Sequence, residues 1–361
     1  MPWLYGESRH IFMPRKETME QSDQAIKTKA TRETTSRTRA QKALYCLVIS
    51  SMMLSLSIVI KEITEFIPFL KMPWARGGSI SLAMVPLVLV GLYCGPVYGI
   101  GVPLLFSVYS FFRDGVSSWT PNVPAVLLSL LLDYFIAFGI IGISSLFRKP
   151  FYEKKSWAPI AAMTISCLLR FIPHFFAGII IFNNLYDYKG PMTPDWTIGG
   201  VTFSTIYNGS YMLPTMLLGI VILALMMKPL FATLDLRIVK TLAPKNLTIT
   251  KGDTFNDSLA SGINLAKALC VGTDLLISIL TIIPIMKFGL VAYATLVLSV
   301  ALVAVEIRFL ITDIKKRDTR QILFDATILC FALVSLVLSC LSIAFVYMRY
   351  YDFYKDILTK K

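Results

Sequence analysis

Long apolar stretches recur along this chain, and they constrain its fold more than any other feature. Three of them are residues 43–60, 211–227 and 326–348, and each is close to the roughly 20 residues that a helix needs to cross a bilayer. A helix satisfies its own backbone hydrogen bonds within the hydrocarbon core, which favours helices over isolated strands. The alternating pattern of an outer-membrane barrel is absent. The chain is therefore predicted to be an all-α polytopic membrane protein.

Nine membrane-spanning segments are predicted from these stretches. They lie near residues 43–61, 79–95, 97–112, 122–147, 157–183, 199–227, 261–284, 288–312 and 323–347. Basic residues are concentrated in three connections, 147–155, 228–245 and 313–320, which share one side if the N-terminus is cytoplasmic. Because positive charge favours cytoplasmic loops, we expect this orientation in the cell membrane. Nine spans with a cytoplasmic N-terminus place the C-terminal lysines outside the cell, whereas positive charge is favoured on the cytoplasmic side.

The chain divides into four predicted parts. They are a basic cytoplasmic arm at 1–42, six spans at 43–228, a polar cytoplasmic linker at 229–260, and a C-terminal membrane module of three spans at 261–361.

The net charge of +13 is concentrated beside the spans and does not indicate nucleic-acid binding. The six cysteines fall within apolar runs, so they are expected to be core residues rather than metal ligands or a disulfide framework.

Three polar side chains are predicted to lie at one depth in the membrane. With the N-terminus inside, Asp133, His174 and Asn208 are each nine or ten residues from the outer end of their spans. At about 1.5 Å per residue, that depth is about 15 Å. Ionisable groups in spans are costly and suggest a functional site. The structural alternatives are an Asp133–Arg170 ion pair, with Arg170 one turn below His174, and packing roles for His174 and Asn208.

Aromatic residues surround this polar set in the sequence. Tyr134, Phe182, Phe203 and Tyr207 are near it, and Trp74 lies in an outer loop. Aromatic rings and one buried carboxylate suit a flat organic cation. Phosphate-loop, H-E-x-x-H and G-x-S-x-G motifs are all absent from the sequence, so ATP hydrolysis by this chain, zinc-protease chemistry and serine-hydrolase chemistry are not indicated.

Four stretches in order resemble one family. "GGSISLAMVPL" (77–87), "LLDYFIAFGIIG" (131–142), "RFIPHFFAGIIIF" (170–182) and "YNGSYMLP" (207–214) are similar to the thiamine-binding S-component of energy-coupling factor transporters. The resemblance covers about 43–228. It implies a six-helix fold, a vitamin pocket near the outer face, and three partners, namely a transmembrane coupling subunit and two cytoplasmic ATPases. It implies no cofactor, no metal and no catalysis by this chain.

The resemblance also assigns ligand-binding roles to individual residues. They are the carboxylate of Asp133, the adjacent Tyr134, His174, the close-approach Gly178, the aromatic Phe182 and Phe203, the pyrimidine-contacting Asn208, and the loop residue Trp74.

This sequence departs from the family pattern at three of those positions. Phe182 replaces the usual tryptophan, Phe203 the usual tyrosine, and Asp133 a frequent glutamate. These changes are expected to weaken thiamine binding or to favour a less polar analogue. Ser51 and Ser55 form a small-xxx-small arrangement on the first span, where the family docks on its coupling subunit.

Other functions remain open from the sequence. One is an S-component for a related ring compound such as a pyrimidine precursor, and another is a membrane protein that keeps the fold without transport. A third is an intramembrane enzyme that uses Asp133 and His174 as acid and base.

In the C-terminal module, Lys267 and Asp274 are seven residues apart and are expected to pair, whereas Glu306 and Arg308 are expected at the membrane interface.

Overall fold

The computed structural model confirms an all-α polytopic architecture. It describes residues 16–67, 70, 78–116, 123–181, 194–244, 247, 253–282, 289–316 and 319–359. The helices, in chain order, are α1 (Lys16–Phe66), α2 (Met84–Cys94), α3 (Pro96–Arg113), α4 (Val123–Tyr152), α5 (Trp157–Ile180), α6 (Ile198–Leu225), α7 (Met227–Thr233), α8 (Arg237–Leu242), α9 (Asp253–Ile282), α10 (Gly289–Lys316) and α11 (Thr319–Thr359).

Seven of these helices are long and apolar enough to cross a membrane. They are α4, α5, α6 and the apolar parts of α1, α9, α10 and α11. The predicted second span, 79–95, was too long, because α2 has only 11 residues. It is preceded by a non-helical turn at 80–83 and followed by Gly95, whose φ of 88° favours glycine. The third predicted span is the 18-residue α3.

Small residues allow α2, α3 and α4 to approach each other closely. A Cβ atom added to Gly99 would lie 2.8 Å from the Cα of Gly91, and one added to Gly142 would lie 2.3 Å from Ile100. Without a hydrophobic effect between helices in lipid, close backbone contact is a main source of helix association. The completely buried α2 is thus held between its neighbours.

The first part of the predicted linker belongs to the folded bundle. Helices α7 and α8 bury Phe231 and Leu242, which are 1% and 2% exposed and form part of the main hydrophobic core. A guanidinium nitrogen of Arg148, on α4, donates to the carbonyl of Leu242. Lys154 pairs with Asp235 at 2.8 Å. Residues 229–243 therefore close one end of the six-helix bundle.

Helix α9 attaches the C-terminal module to the bundle. It packs against both α5 and α6, and its Ala266 and Cys270 are part of the main hydrophobic core. Gly262 faces Ser156, which precedes α5, so closely that an added Cβ would lie 2.1 Å from the serine Cβ. Helices α10 and α11 pack on α9 and on each other.

The predicted Lys267–Asp274 pair in this module was wrong. Lys267 Nζ lies 2.5 Å from Asp325 Oδ1 on α11 and 3.1 Å from Glu306 Oε2 on α10. Glu306 is 1% exposed and lies buried between the helices of the module. Arg308, two residues further along, is exposed. The lysine links three helices rather than two positions of one helix.

Replacing Gly262 by Ala is expected to destabilise the full-length chain. The new methyl would overlap Ser156 at the junction of the module and the bundle, and overpacking of this kind costs about 1–3 kcal/mol. The matched control is Gly272→Ala on the same helix, where an added Cβ meets nothing within 4 Å. Thermal unfolding in detergent measures the stability of both variants. Equal unfolding midpoints would contradict the close contact between Gly262 and Ser156.

Candidate functional site

The carboxylate of the candidate site lies on an irregular turn of α4. Residues Leu130–Ile136 form a π-helical segment, and the N–H of Ala137 reaches back to the carbonyl of Leu132, five residues earlier. Such wide turns in a helix occur frequently at functional sites, because they re-aim side chains. Asp133 lies in the middle of this segment and points toward α5.

Asp133 and His174 form a hydrogen-bonded pair between α4 and α5. His174 Nδ1 lies 2.8 Å from Asp133 Oδ1, and the side chains are 9% and 13% exposed. Ser129 Oγ donates to Asp133 Oδ2 at 3.0 Å. An ionised carboxylate can only accept, so Nδ1 carries the hydrogen, and in the neutral ring Nε2 is left as an acceptor. Nε2 is buried and has no hydrogen-bond partner among the residues that the structure describes.

The expectation that Arg170 is the charge partner of Asp133 was wrong. The Arg170 guanidinium lies over the ring of Phe138, 4.2 Å from its centroid. One of its terminal nitrogens approaches the sulfur of Met84 at 3.9 Å, and among the described residues Arg170 forms no ion pair. The cation is therefore held by a ring face, which stabilises a partly desolvated charge.

Asn208 connects the backbone of α5 to α6. Its Nδ2 donates to the carbonyl of His174 at 3.1 Å and to that of Ser204 at 2.9 Å. Its Oδ1 accepts from the hydroxyl of Tyr211 at 2.9 Å. The two carbonyl acceptors determine which way the amide faces. Both amide hydrogens are used within the protein, and the capacity that remains for a ligand is at Oδ1.

Helices α5 and α6 approach each other closely at Gly178. An added Cβ would lie 2.1 Å from Ser204 Oγ and 3.3 Å from Asn208 Nδ2. Ser204 Oγ also donates to the carbonyl of Phe175 at 2.7 Å. The absence of a side chain at Gly178 therefore allows the α6 amide to reach the carbonyl of His174.

Aromatic residues of α6 form a wall beside the histidine. The rings of Phe203 and Tyr207 are parallel, with centroids 5.8 Å apart and planes 3° apart. Tyr207 meets Tyr211 edge-on at 5.8 Å, and Tyr211 meets the His174 ring edge-on at 6.2 Å. Gly78, with φ 75°, lies against both tyrosines, where an added Cβ would be 2.9 Å from a ring carbon of Tyr211 and 3.0 Å from the hydroxyl of Tyr207.

Four of the predicted site residues, Asp133, His174, Gly178 and Asn208, are brought together at the α4–α5–α6 junction. Phe203 is connected to them through its stack on Tyr207, which meets Tyr211 beside His174.

Tyr134 uses its hydroxyl in a separate hydrogen bond, to a residue outside this set. Its hydroxyl donates to Asp114 Oδ2 at 2.9 Å, and Asp114 in turn pairs with Lys61 of α1 at 2.8 Å. Its ring stacks on Phe138. Trp74 and Phe182 lie outside the residues that the structure describes.

Four site residues were missed by the sequence reasoning. Ser129 lies four positions before Asp133, and Ser204 lies four before Asn208. Tyr211 lies three positions after Asn208. This helical spacing would have identified all three as neighbours of the predicted polar residues. Gly78 carries no such signal, because its contact with the tyrosines spans more than 100 positions of the sequence.

The arrangement is suited to binding a small polar molecule within the membrane. It offers one carboxylate, one imidazole acceptor, one amide oxygen and a row of ring faces. Among the described residues, no three histidine, cysteine or acidic side chains lie together in a way that could hold a metal ion. These features define a multi-pass membrane protein with a candidate small-molecule site among its helices.

Comparison with known proteins identifies the family. The model of the "Thiamine transporter protein (Thia_YuaJ)" family matches residues 47–234, just over half of the chain. The thiamine transporter ThiT of Bacillus subtilis (strain 168) is 31% identical over 166 residues, which cover 44% of this chain and 78% of the relative. Solved structures gave no significant match. This chain belongs to the thiamine transporter protein family, which confirms the resemblance drawn from the motifs.

In the absence of ligand, changing Asn208 to Asp is expected to lower the thermal stability of the chain. The new carboxylate would place an oxygen against the carbonyls of His174 and Ser204, which now accept from Nδ2. A buried acceptor left unsatisfied costs about 1–3 kcal/mol. Tyr211→Phe, which removes only the hydroxyl donor to Oδ1, should cost about 0.5–1.5 kcal/mol. A larger loss for Tyr211→Phe than for Asn208→Asp in detergent would contradict the bridging role of the amide.

Proposed function

We propose that this chain is the membrane binding subunit for thiamine uptake. The observation that carries the proposal is the Asp133–His174 pair at 2.8 Å, with a buried Nε2 that has no partner in the described part of the chain. This pair lies inside the region that matches the thiamine transporter family. A carboxylate and an acceptor on the same pair suit a ligand that is both a cation and a hydrogen-bond donor.

The chemistry of thiamine is complementary to this site. The molecule joins a positively charged thiazolium ring to an aminopyrimidine whose amino group donates hydrogen bonds. Asp133 supplies the negative charge, and His174 Nε2 accepts from an N–H donor. The ring faces of Phe203, Tyr207 and Tyr211 offer stacking and cation–π contacts.

The wider transport cycle is part of the same proposal. The N-terminus is cytoplasmic, and the chain delivers thiamine through an energy-coupling factor importer of the ABC type. A transmembrane coupling subunit and two cytoplasmic ATPases are its partners, and those ATPases hydrolyse the ATP. The absence of a phosphate-loop motif in this sequence supports that division of labour.

Helix α1 offers the surface for the coupling subunit. Ser51 and Ser55 are both exposed, and the Ser51 hydroxyl bonds back to the carbonyl of Leu47 at 2.8 Å. The neighbouring Met52 and Leu56 are 67% and 48% exposed. A strip of small residues between exposed apolar side chains suits close helix–helix contact in a membrane.

Asp133→Asn should weaken thiamine binding by at least about 100-fold. The substitution keeps the shape of the side chain but leaves the buried cation without its counter-charge, a loss of about 3–5 kcal/mol. Titration calorimetry of the purified full-length chain in detergent, without ATP or partners, measures the affinity.

Glu62→Gln is the matched control for this experiment. Glu62 is also an acid on a membrane helix, but it pairs with Arg113 and Tyr109, away from the α4–α5–α6 junction. Its neutralisation should leave thiamine affinity unchanged. No heat with thiamine and heat with its pyrimidine precursor would instead assign the pocket to the smaller ring compound.

Replacing both Ser51 and Ser55 by Leu should abolish uptake without affecting binding. Two large side chains would separate α1 from a closely packed partner helix. Thiamine affinity in detergent should stay at the wild-type value, whereas thiamine accumulation by cells that express all partners should fall to background. The control is Met52→Leu, which conserves volume on the same helix. Normal accumulation by the double variant would exclude this face as the docking surface.

A further inference from the structure

A second polar cluster lies in the C-terminal module, outside the region that matches the thiamine transporter family. It contains one carboxylate and four hydroxyls contributed by all three helices of the module. Asp274 and Ser278 lie on α9, Ser299 on α10, and Ser335 and Ser339 on α11. All five residues are 0% exposed. Ionisable groups in spans are rare and costly, and they mark ion or substrate sites by default.

The cluster is compact. Ser335 Oγ and Ser299 Oγ donate to Asp274 Oδ2 at 2.5 and 2.7 Å. Ser339 Oγ lies 2.8 Å from Ser278 Oγ and 3.1 Å from Ser299 Oγ, and Ser278 Oγ lies 3.1 Å from Ser335 Oγ. Five oxygen-bearing side chains from three helices thus converge within the apolar interior of the module.

One carboxylate oxygen in the cluster has no hydrogen-bond partner among the described residues. Asp274 Oδ1 is buried and accepts from no donor in that part of the chain, whereas Oδ2 accepts from two hydroxyls. A proton on Oδ1 would itself lack an acceptor, so protonation does not complete the hydrogen bonding there. An ionised carboxylate in an apolar interior, however, needs a positive charge beside it.

The nearest buried lysine does not supply that charge. Lys267 lies between Asp325, at 2.5 Å, and Glu306, at 3.1 Å, so its single charge is already shared by two acids. It precedes Asp274 by seven residues, which is about 10 Å along a helix. Among the described residues of the module, no ion pair therefore neutralises the charge of Asp274.

We propose that Asp274, Ser278, Ser299, Ser335 and Ser339 form a binding site for a monovalent cation, with Na⁺ as the preferred ion. Hard cations take carboxylate and hydroxyl oxygens as ligands. One carboxylate with neutral hydroxyls matches a single positive charge, whereas a divalent ion would leave an uncompensated charge in the membrane. Because the ligands come from α9, α10 and α11, the bound cation joins the three helices.

The test is cation-dependent stability of the full-length chain in detergent. NaCl is titrated against choline chloride at constant ionic strength, and the midpoint of thermal unfolding is followed. We expect a saturable rise with Na⁺, since a ligand that binds only the folded state stabilises it by mass action. Equilibrium dialysis with radioactive Na⁺ should show saturable retention of a single ion per chain. KCl should reproduce the rise only at higher concentration.

Three variants connect the effect to the cluster. Asp274→Asn removes the charge and should abolish both the Na⁺-dependent rise and the retention of radioactive Na⁺. Ser335→Ala and Ser299→Ala keep the carboxylate, and each should weaken Na⁺ affinity at least about tenfold. These two variants still test the proposal if Asp274→Asn does not fold. Asp325→Asn is the matched control, a buried acid of the same module that should retain the Na⁺ response.

Two results would overturn the proposal. One is an unfolding midpoint of the wild-type chain that is the same in Na⁺ and choline, together with no retention of radioactive Na⁺. The other is a Na⁺ response that persists unchanged in Asp274→Asn or in both serine variants. Because thiamine is absent from every measurement, neither result bears on the function of the α4–α5–α6 site.

Discussion

A polar group inside a bilayer must find its partner within the protein, and this constraint shapes the whole molecule. Isolated hydroxyls meet it locally: Ser57 and Thr64 on α1, and Thr164 on α5, each bond back to the carbonyl four residues earlier. Charged groups cannot do this, because a backbone carbonyl does not neutralise a carboxylate. The acids of the interior therefore determine which helices come together and at what depth.

The two halves of the chain provide partners for their buried polar groups in different ways. In the first half, Asp133 is hydrogen-bonded to an imidazole, and Arg170 is accommodated on a ring face. His174 Nε2 has no partner among the described residues and lies where small residues let the helices approach closely. In the second half, the helices meet along charged and hydroxylated faces, and Lys267 joins all three. The same cost of burying polarity thus yields a pocket in one half and a network between helices in the other.

Much of this organisation could be predicted from the sequence. Span length and polarity indicated nine helical segments, and counting residues from the outer ends placed Asp133, His174 and Asn208 at one depth. Depth along a helix is a linear quantity, since each residue adds about 1.5 Å. It follows from sequence position with small error, which is why three side chains on three helices could be assigned to one site.

The pairing of side chains could not be predicted in the same way, because it depends on how each helix is rotated about its axis. Asp133 was expected to meet Arg170, but a π-helical turn changes the angular position of every residue within it, and Asp133 faces His174 instead. Lys267 was assigned a partner on its own helix, whereas α10 and α11 bring two acids that lie 39 and 58 positions away in the sequence. Rotation is decided by the close contacts of residues such as Gly178, Gly262 and Ser204. In a membrane, where the surrounding lipid is as apolar as the helix surfaces, these contacts rather than hydrophobicity select which faces meet.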